Sequence, residues 1–132
     1  MPSITNALGL VKFMFPNQYS IYLHDTPSKP LFDLEVRAFS HGCIRLQKPF
    51  EFAYELLKPQ TSDPRAQFQE AMETGEETVV YLRSPVPIHL IYRTAFVDEL
   101  GLINYRRDIY GRDAAIYDAL IEAGIKATPL SG

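Results

Sequence analysis

Residues 40–46 read Ser40-His41-Gly42-Cys43-Ile44-Arg45-Leu46 and hold the single cysteine of a 132-residue chain. His24 stands upstream, at the end of an alternating run. A thiol, two imidazoles, a glycine turn and a guanidinium in so short a stretch are the parts of a cysteine acyl-transfer site. A free thiol is mostly protonated at neutral pH, so it needs a base or a neighbouring positive charge to become a nucleophile. His24 and His41 are both candidate bases. His24 lies on a strand-like run that can hold its ring rigidly, whereas the turn constrains His41. We therefore read His24 as the base and give His41 a supporting role. Gly42 lets the backbone approach a substrate closely, and the N–H groups of Gly42 and Cys43 could form an oxyanion hole. In an extended segment, positions i and i+2 share a face. Arg45 should thus stand beside the thiol, where it could bind a substrate carboxylate and favour the thiolate.

Plainer readings exist for each residue. A lone cysteine is commonly a small buried hydrophobe. His24 alone could be a satisfied strand-end histidine, and Arg45 could pair with Asp108, Asp113 or Glu51. A zinc site of His24, His41 and Cys43 lacks a fourth ligand at familiar spacing, so no metal or cofactor is expected. His89, next to Pro87, reads as structural.

The elements that must position these groups can be read from pattern. Residues 10–15 are apolar and aromatic around one lysine, a strand pattern, and Pro16-Asn17 is a turn signal. Residues 19–24 alternate, with Ile21 and Leu23 on one face and Ser20, Tyr22 and His24 on the more polar one. Residues 25–30 form a loop. Residues 31–39 are ambiguous and allow a short helix, and 43–46 should be extended. Pro49 opens a helix at its favoured first position, with Phe50, Ala53, Tyr54 and Leu57 on one stripe. Asp63-Pro64 starts a second helix that stops at Gly75. Residues 78–82 read as a strand broken by Pro85 and Pro87. Residues 89–97 read as a longer strand, turned at 98–101 and paired with 102–105. A final helix spans 114–123, with Gly124 as its stop. Strands come early and late with helices between, which predicts an α+β fold with a mostly antiparallel sheet.

Length fits one domain. Apolar residues make up 46% of the chain, which can support a core. Net charge is −3, and the 13 lysines and arginines form no basic run, so there is no nucleic-acid footprint. No apolar stretch reaches bilayer length, and Met1-Pro2-Ser3 lacks the basic start and apolar stretch of a secretory signal. One cysteine leaves the redox compartment open.

A histidine followed by aspartate, then after a gap Ser-His-Gly-Cys-Ile-Arg, resembles the L,D-transpeptidase catalytic domain, the YkuD-like fold. His24 and residues 40–45 carry that likeness. Asn6-Ala7-Leu8-Gly9, Lys12-Phe13-Met14-Phe15-Pro16-Asn17, Tyr22-Leu23-His24-Asp25-Thr26-Pro27, Pro87-Ile88-His89-Leu90-Ile91-Tyr92 and Asp108-Ile109-Tyr110-Gly111-Arg112-Asp113 resemble a long Gram-negative branch of the family. The resemblance implies a β-sandwich enzyme of the periplasm that cross-links peptidoglycan stem peptides without metal or cofactor. Cys43 would attack the diaminopimelate carbonyl at position 3 of a donor tetrapeptide. D-Ala would leave, and a second diaminopimelate amine would resolve the thioester into a 3→3 cross-link. Carbapenems typically acylate the same cysteine. Ser40, Asp25 and Tyr22 join Arg45 as the expected substrate-binding set.

Only 23 residues precede His24, whereas the family places several sandwich strands before this histidine. We therefore expect residues 1–132 to be one N-terminally truncated catalytic domain with a C-terminal extension from about residue 85. The missing portion of the same enzyme is then a candidate partner, and the remaining strands should show open edges. Two other functions compete. One is a catalytically inactive fragment that binds cell-wall peptide or protein. The other is a cysteine peptidase or amidase in which water replaces the acceptor amine.

Overall fold

The computed structural model describes residues 6–40 and 42–126. The chain divides into two compact units, Met1–Val86 and Pro87–Gly132.

In the first unit, β1 (Lys12–Phe13), β2 (Leu23–His24) and β3 (Ile44–Arg45) form one small sheet in that order. β1 and β2 are antiparallel, with Lys12 opposite His24 and Phe13 opposite Leu23. β2 and β3 are parallel, with Leu23 opposite Ile44 and His24 opposite Arg45. The α+β reading holds, but the strand pair formed by the His24 strand and the strand after Cys43 is parallel. The chain reaches that pairing through the 3-10 helix Lys29–Asp33 and the segment that follows it. This short helix begins earlier than the helix considered over 31–39, because Pro30 pre-sets the first turn.

The strand expected over 19–24 shrinks to Leu23–His24. The Asn17 side chain explains the loss. Its Oδ1 accepts the N–H groups of Tyr19 (3.0 Å) and Ile21 (3.0 Å). Its Nδ2 donates to the carbonyls of Phe15 (3.0 Å) and Ile21 (2.7 Å). One amide side chain thus occupies the backbone groups a neighbouring strand would have used, and Ser20 bends into the left-handed region at φ 54°. Leu23 and His24 are both buried, at 6% and 5% exposure. The central strand is covered on both faces, so the polar face predicted for His24 is not solvent-facing.

The helix α1 (Pro49–Leu57) buries Pro49, Ala53 and Leu57. Phe52 on its other side meets Phe13 of β1 edge-to-face at 4.9 Å. The helix α2 (Pro64–Glu73) is capped by Asp63, whose Oδ1 accepts the Ala66 N–H at 2.9 Å. Its Phe68 packs against Phe50 and Tyr54 of α1 at 5.2 and 5.5 Å. Sheet, α1 and α2 therefore form successive layers joined by aromatic contacts. Gly75, at φ 68°, ends the second helix as expected. Residues 78–82 form no strand. They have no neighbouring ladder, and the Gln60 amide serves them instead, donating to Tyr81 O (3.3 Å) and accepting from the Arg83 N–H (3.0 Å).

In the second unit, β4 (Ala95–Val97) and β5 (Ile103–Tyr105) make an antiparallel hairpin. The strand expected over 89–97 forms only in its last three residues, the part that has a partner. Asp98 builds the turn by accepting the N–H groups of Leu100 (3.0 Å) and Leu102 (2.9 Å). The helix α3 (Asp113–Glu122) starts under Asp108, which accepts the N–H groups of Arg112 and Asp113 at 3.0 and 2.9 Å. Gly124 terminates it at φ 86°.

Candidate active site

The β2–β3 register decides which groups meet. Partners across a parallel pair point to the same side of the sheet, and so do positions i and i+2 along each strand. The Ile44 N–H donates to Tyr22 O (3.0 Å), and the Leu46 N–H donates to His24 O (2.8 Å). His24 pairs with Arg45, and continuing one register step back sets Tyr22 beside Cys43. Tyr22, His24, Cys43 and Arg45 therefore occupy one face. Strand spacing and rise put His24 on the diagonal from Cys43, about 8 Å between Cα atoms, a gap an imidazole and a thiol side chain can close.

Tyr22 is the nearer neighbour. Its phenol pKa is raised, first by burial and then by hydrogen bonding to and charge interaction with Cys43, while Lys12 opposes the shift. The Tyr22 and His24 rings meet edge-to-face at 5.9 Å. Phenol and imidazole are thus in contact on the face of the sheet where the register also sets Cys43.

His24 Nδ1 is hydrogen-bonded to the carbonyl of Asp25. A carbonyl can only accept, so Nδ1 carries the proton and neutral His24 presents a lone pair at Nε2. That is the tautomer a general base needs. The Cys43 thiol is half-buried and points its proton toward Ser20 O at 4.0 Å. The loop before it is braced by Ser40, whose hydroxyl donates to Cys43 O and accepts the Gly42 N–H at 3.2 Å. In this conformation the Gly42 donor is engaged within its own loop. His41 lies outside the described residues, and with it the supporting role assigned to it.

Asp25, expected to bind substrate, is buried at 8% exposure. Its Oδ2 accepts the Leu10 N–H at 3.0 Å and its Oδ1 accepts from Lys29 Nζ at 2.8 Å. Burial pushes the Asp25 pKa up. The Lys29 hydrogen bond, the Leu10 and Thr26 N–H groups and the Lys29 charge outweigh that and hold it below 3.8. Within the first unit and among the described residues, Arg45 makes no ion pair. Asp108 and Asp113 serve the start of α3 and Thr94 respectively.

A cavity of ≈360 Å³ lies beside Asp25 and Lys29, lined also by Gly9, Gln47, Phe50 and Glu51. Cys43 and His24 are not in its lining. Among the described residues no cluster of histidine, cysteine and carboxylate groups is placed to hold a metal, and no helix is long and apolar enough to cross a membrane.

Three residues outside the Ser40–Arg45 motif help shape the site. Asn17 follows a proline, an available turn signal, but its four backbone bonds are not readable from that signal. Lys29 sits four positions after Asp25, a spacing that hints at a pair only once the intervening turn is known. Gly9 lies at φ 63° against the Asp25 side chain.

The L,D-transpeptidase catalytic domain (YkuD) matches residues 1–88, two-thirds of the chain. A putative L,D-transpeptidase of Haemophilus influenzae is 37% identical over 111 residues, covering 84% of this chain. The chain spans 22% of that relative's length. The matched stretch contains His24, Cys43 and the parallel strands that place them, and the chain belongs to the L,D-transpeptidase catalytic domain family.

Proposed function

We propose that this chain carries the acyl-transfer centre of a peptidoglycan L,D-transpeptidase, acting in the periplasm on tetrapeptide stems to form 3→3 cross-links. The observation that carries the reading is the β2–β3 register, which sets His24 and Cys43 on one face, together with the Nδ1 bond that leaves Nε2 free. His24 Nε2 takes the thiol proton. The Cys43 sulfur then attacks the stem carbonyl and forms the C–S bond. The C–N bond to D-Ala breaks, and the leaving amine takes the proton back from His24. The incoming amine attacks the thioester, gives its proton to His24, and the C–S bond breaks. The Tyr22 phenol, beside the sulfur, is placed to donate to the thiolate. Arg45 is free to grip a stem carboxylate with its planar fork.

Intact-mass measurement after exposure to a carbapenem tests this reading. One covalent adduct per chain is expected, absent in Cys43→Ala. An adduct that survives the substitution removes Cys43 as the nucleophile. No adduct on a folded chain favours the binding-fragment reading. Water as sole acceptor, when an amine is also offered, favours a peptidase.

A further inference from the structure

We propose that Asp25 and Lys29 form a latch that positions His24 against Cys43, acting through the β2–β3 register and never touching substrate. The inference rests on the reading of Cys43 and His24 as the reacting pair. Asp25 does three separate things at the end of β2. Its N–H donates to Val11 O at 2.9 Å, tying β2 to the β1 side. Its carbonyl accepts the His24 Nδ1 proton and so sets the tautomer. Its carboxylate binds the Leu10 N–H and the Lys29 ammonium. Lys29 then reaches the end of β3, donating to Leu46 O at 3.0 Å and Gln47 O at 3.1 Å. Leu46 is the residue whose N–H is bonded to His24 O.

The ammonium therefore ties the residue after His24 to the residue after Arg45. A shift of either strand end must break a Lys29 bond. A shift of Asp25 also moves the carbonyl that fixes the His24 ring. An ammonium has three donors, and all three are engaged within the protein. Both Asp25 oxygens are engaged as well, and Asp25 is buried. The Lys29 ammonium has no donor left for a substrate carboxylate, and both Asp25 oxygens already accept hydrogen bonds within the protein, which favours a latch over the substrate-binding role expected for Asp25.

The test is the pH profile of iodoacetamide alkylation of Cys43, read by intact mass on the whole chain well below its melting temperature. Because Cys43 is the single cysteine, each adduct reports one site. Lys29→Met should slow alkylation at pH 7 by about tenfold, the scale expected when a reacting pair loses its alignment, and move the profile to higher pH. Lys29→Arg should recover most of the rate, since its fork can again reach the carboxylate and the carbonyls. The latch is overturned if Lys29→Met lowers the melting temperature but leaves the pH profile unmoved, or if Lys29→Arg is as impaired as Lys29→Met. If Lys29→Met does not fold, Asp25→Asn is read by the same criterion: a moved profile supports the latch and an unmoved one overturns it. His24→Ala separates the two levels. A profile that moves for His24→Ala and not for the latch variants overturns the latch alone. A profile unmoved by His24→Ala overturns both the latch and the pairing.

Discussion

Gly9→Ala should be among the most destabilising single-methyl additions in the first unit, and Gly75→Ala shows why. Both glycines hold left-handed backbones, at φ 63° and φ 68°. A side chain in that region costs roughly 1 kcal/mol. At Gly75 nothing lies within 4 Å of the added carbon, so that penalty is the whole effect. At Gly9 the new Cβ would fall 2.3 Å from Asp25 Oδ2, 2.4 Å from Cγ and 2.6 Å from Cβ. Because the Asp25 Cβ is itself in the clash, rotating the carboxylate does not relieve it. Asp25 must move, breaking its bonds to the Leu10 N–H and Lys29. Losing the partners of a buried polar group costs about 1–3 kcal/mol, so Gly9→Ala should lose about 2–4 kcal/mol in all. Urea unfolding of both variants, followed by far-ultraviolet circular dichroism, measures the difference. Equal stabilities within about 0.5 kcal/mol, the ordinary spread of neutral substitutions, would refute the packing argument.

Other outcomes follow from the same contacts. Asn17→Asp should destabilise by about 2 kcal/mol or more, because a carboxylate loses both donated bonds and faces the carbonyls of Phe15 and Ile21; a variant unfolding at the wild-type urea midpoint would contradict this. The Asp25 carboxyl is depressed below 3.8 in the folded chain, so its stabilising effect is full above the unfolded value and fades as pH falls through the lower folded one. The stability gap between wild type and Asp25→Asn should thus hold from pH 7 to pH 5 and close below about pH 4; a gap that widens in acid would reverse the sign. Arg45→Lys keeps the charge but loses the fork. It should weaken stem-peptide binding by calorimetry while leaving alkylation by iodoacetamide near normal, whereas a lowered melting temperature with unchanged binding would make Arg45 structural.

Local signals were readable wherever the chain satisfies its own backbone nearby. Pro49 and Asp63-Pro64 mark helix starts that the structure keeps, and Asp98 to Gly101 turns the hairpin as the pattern predicts. Gly75 and Gly124 end their helices in left-handed conformations. What alternation could not reveal is where each strand's hydrogen bonds go. Residues 19–22 alternate and 78–82 are rich in strand-forming residues, yet Asn17 takes backbone groups of Tyr19 and Ile21, and Gln60 takes the Tyr81 carbonyl. The parallel pairing of β2 with β3 is a non-local fact. It makes Tyr22, not His24, the direct cross-strand neighbour of Cys43. The Asp25–Lys29 pair was invisible for the same reason, since the Leu46 and Gln47 carbonyls that complete it lie far along the chain.

The most direct test of the acyl-transfer claim is intact-mass measurement of the chain incubated with a donor tetrapeptide stem and no acceptor, with free D-Ala assayed in the same samples. The account predicts one acyl adduct on Cys43 per D-Ala released, with both signals lost in Cys43→Ala and slowed in His24→Ala. D-Ala release that persists in Cys43→Ala, or a folded chain that binds the stem and forms neither adduct nor D-Ala, would contradict it.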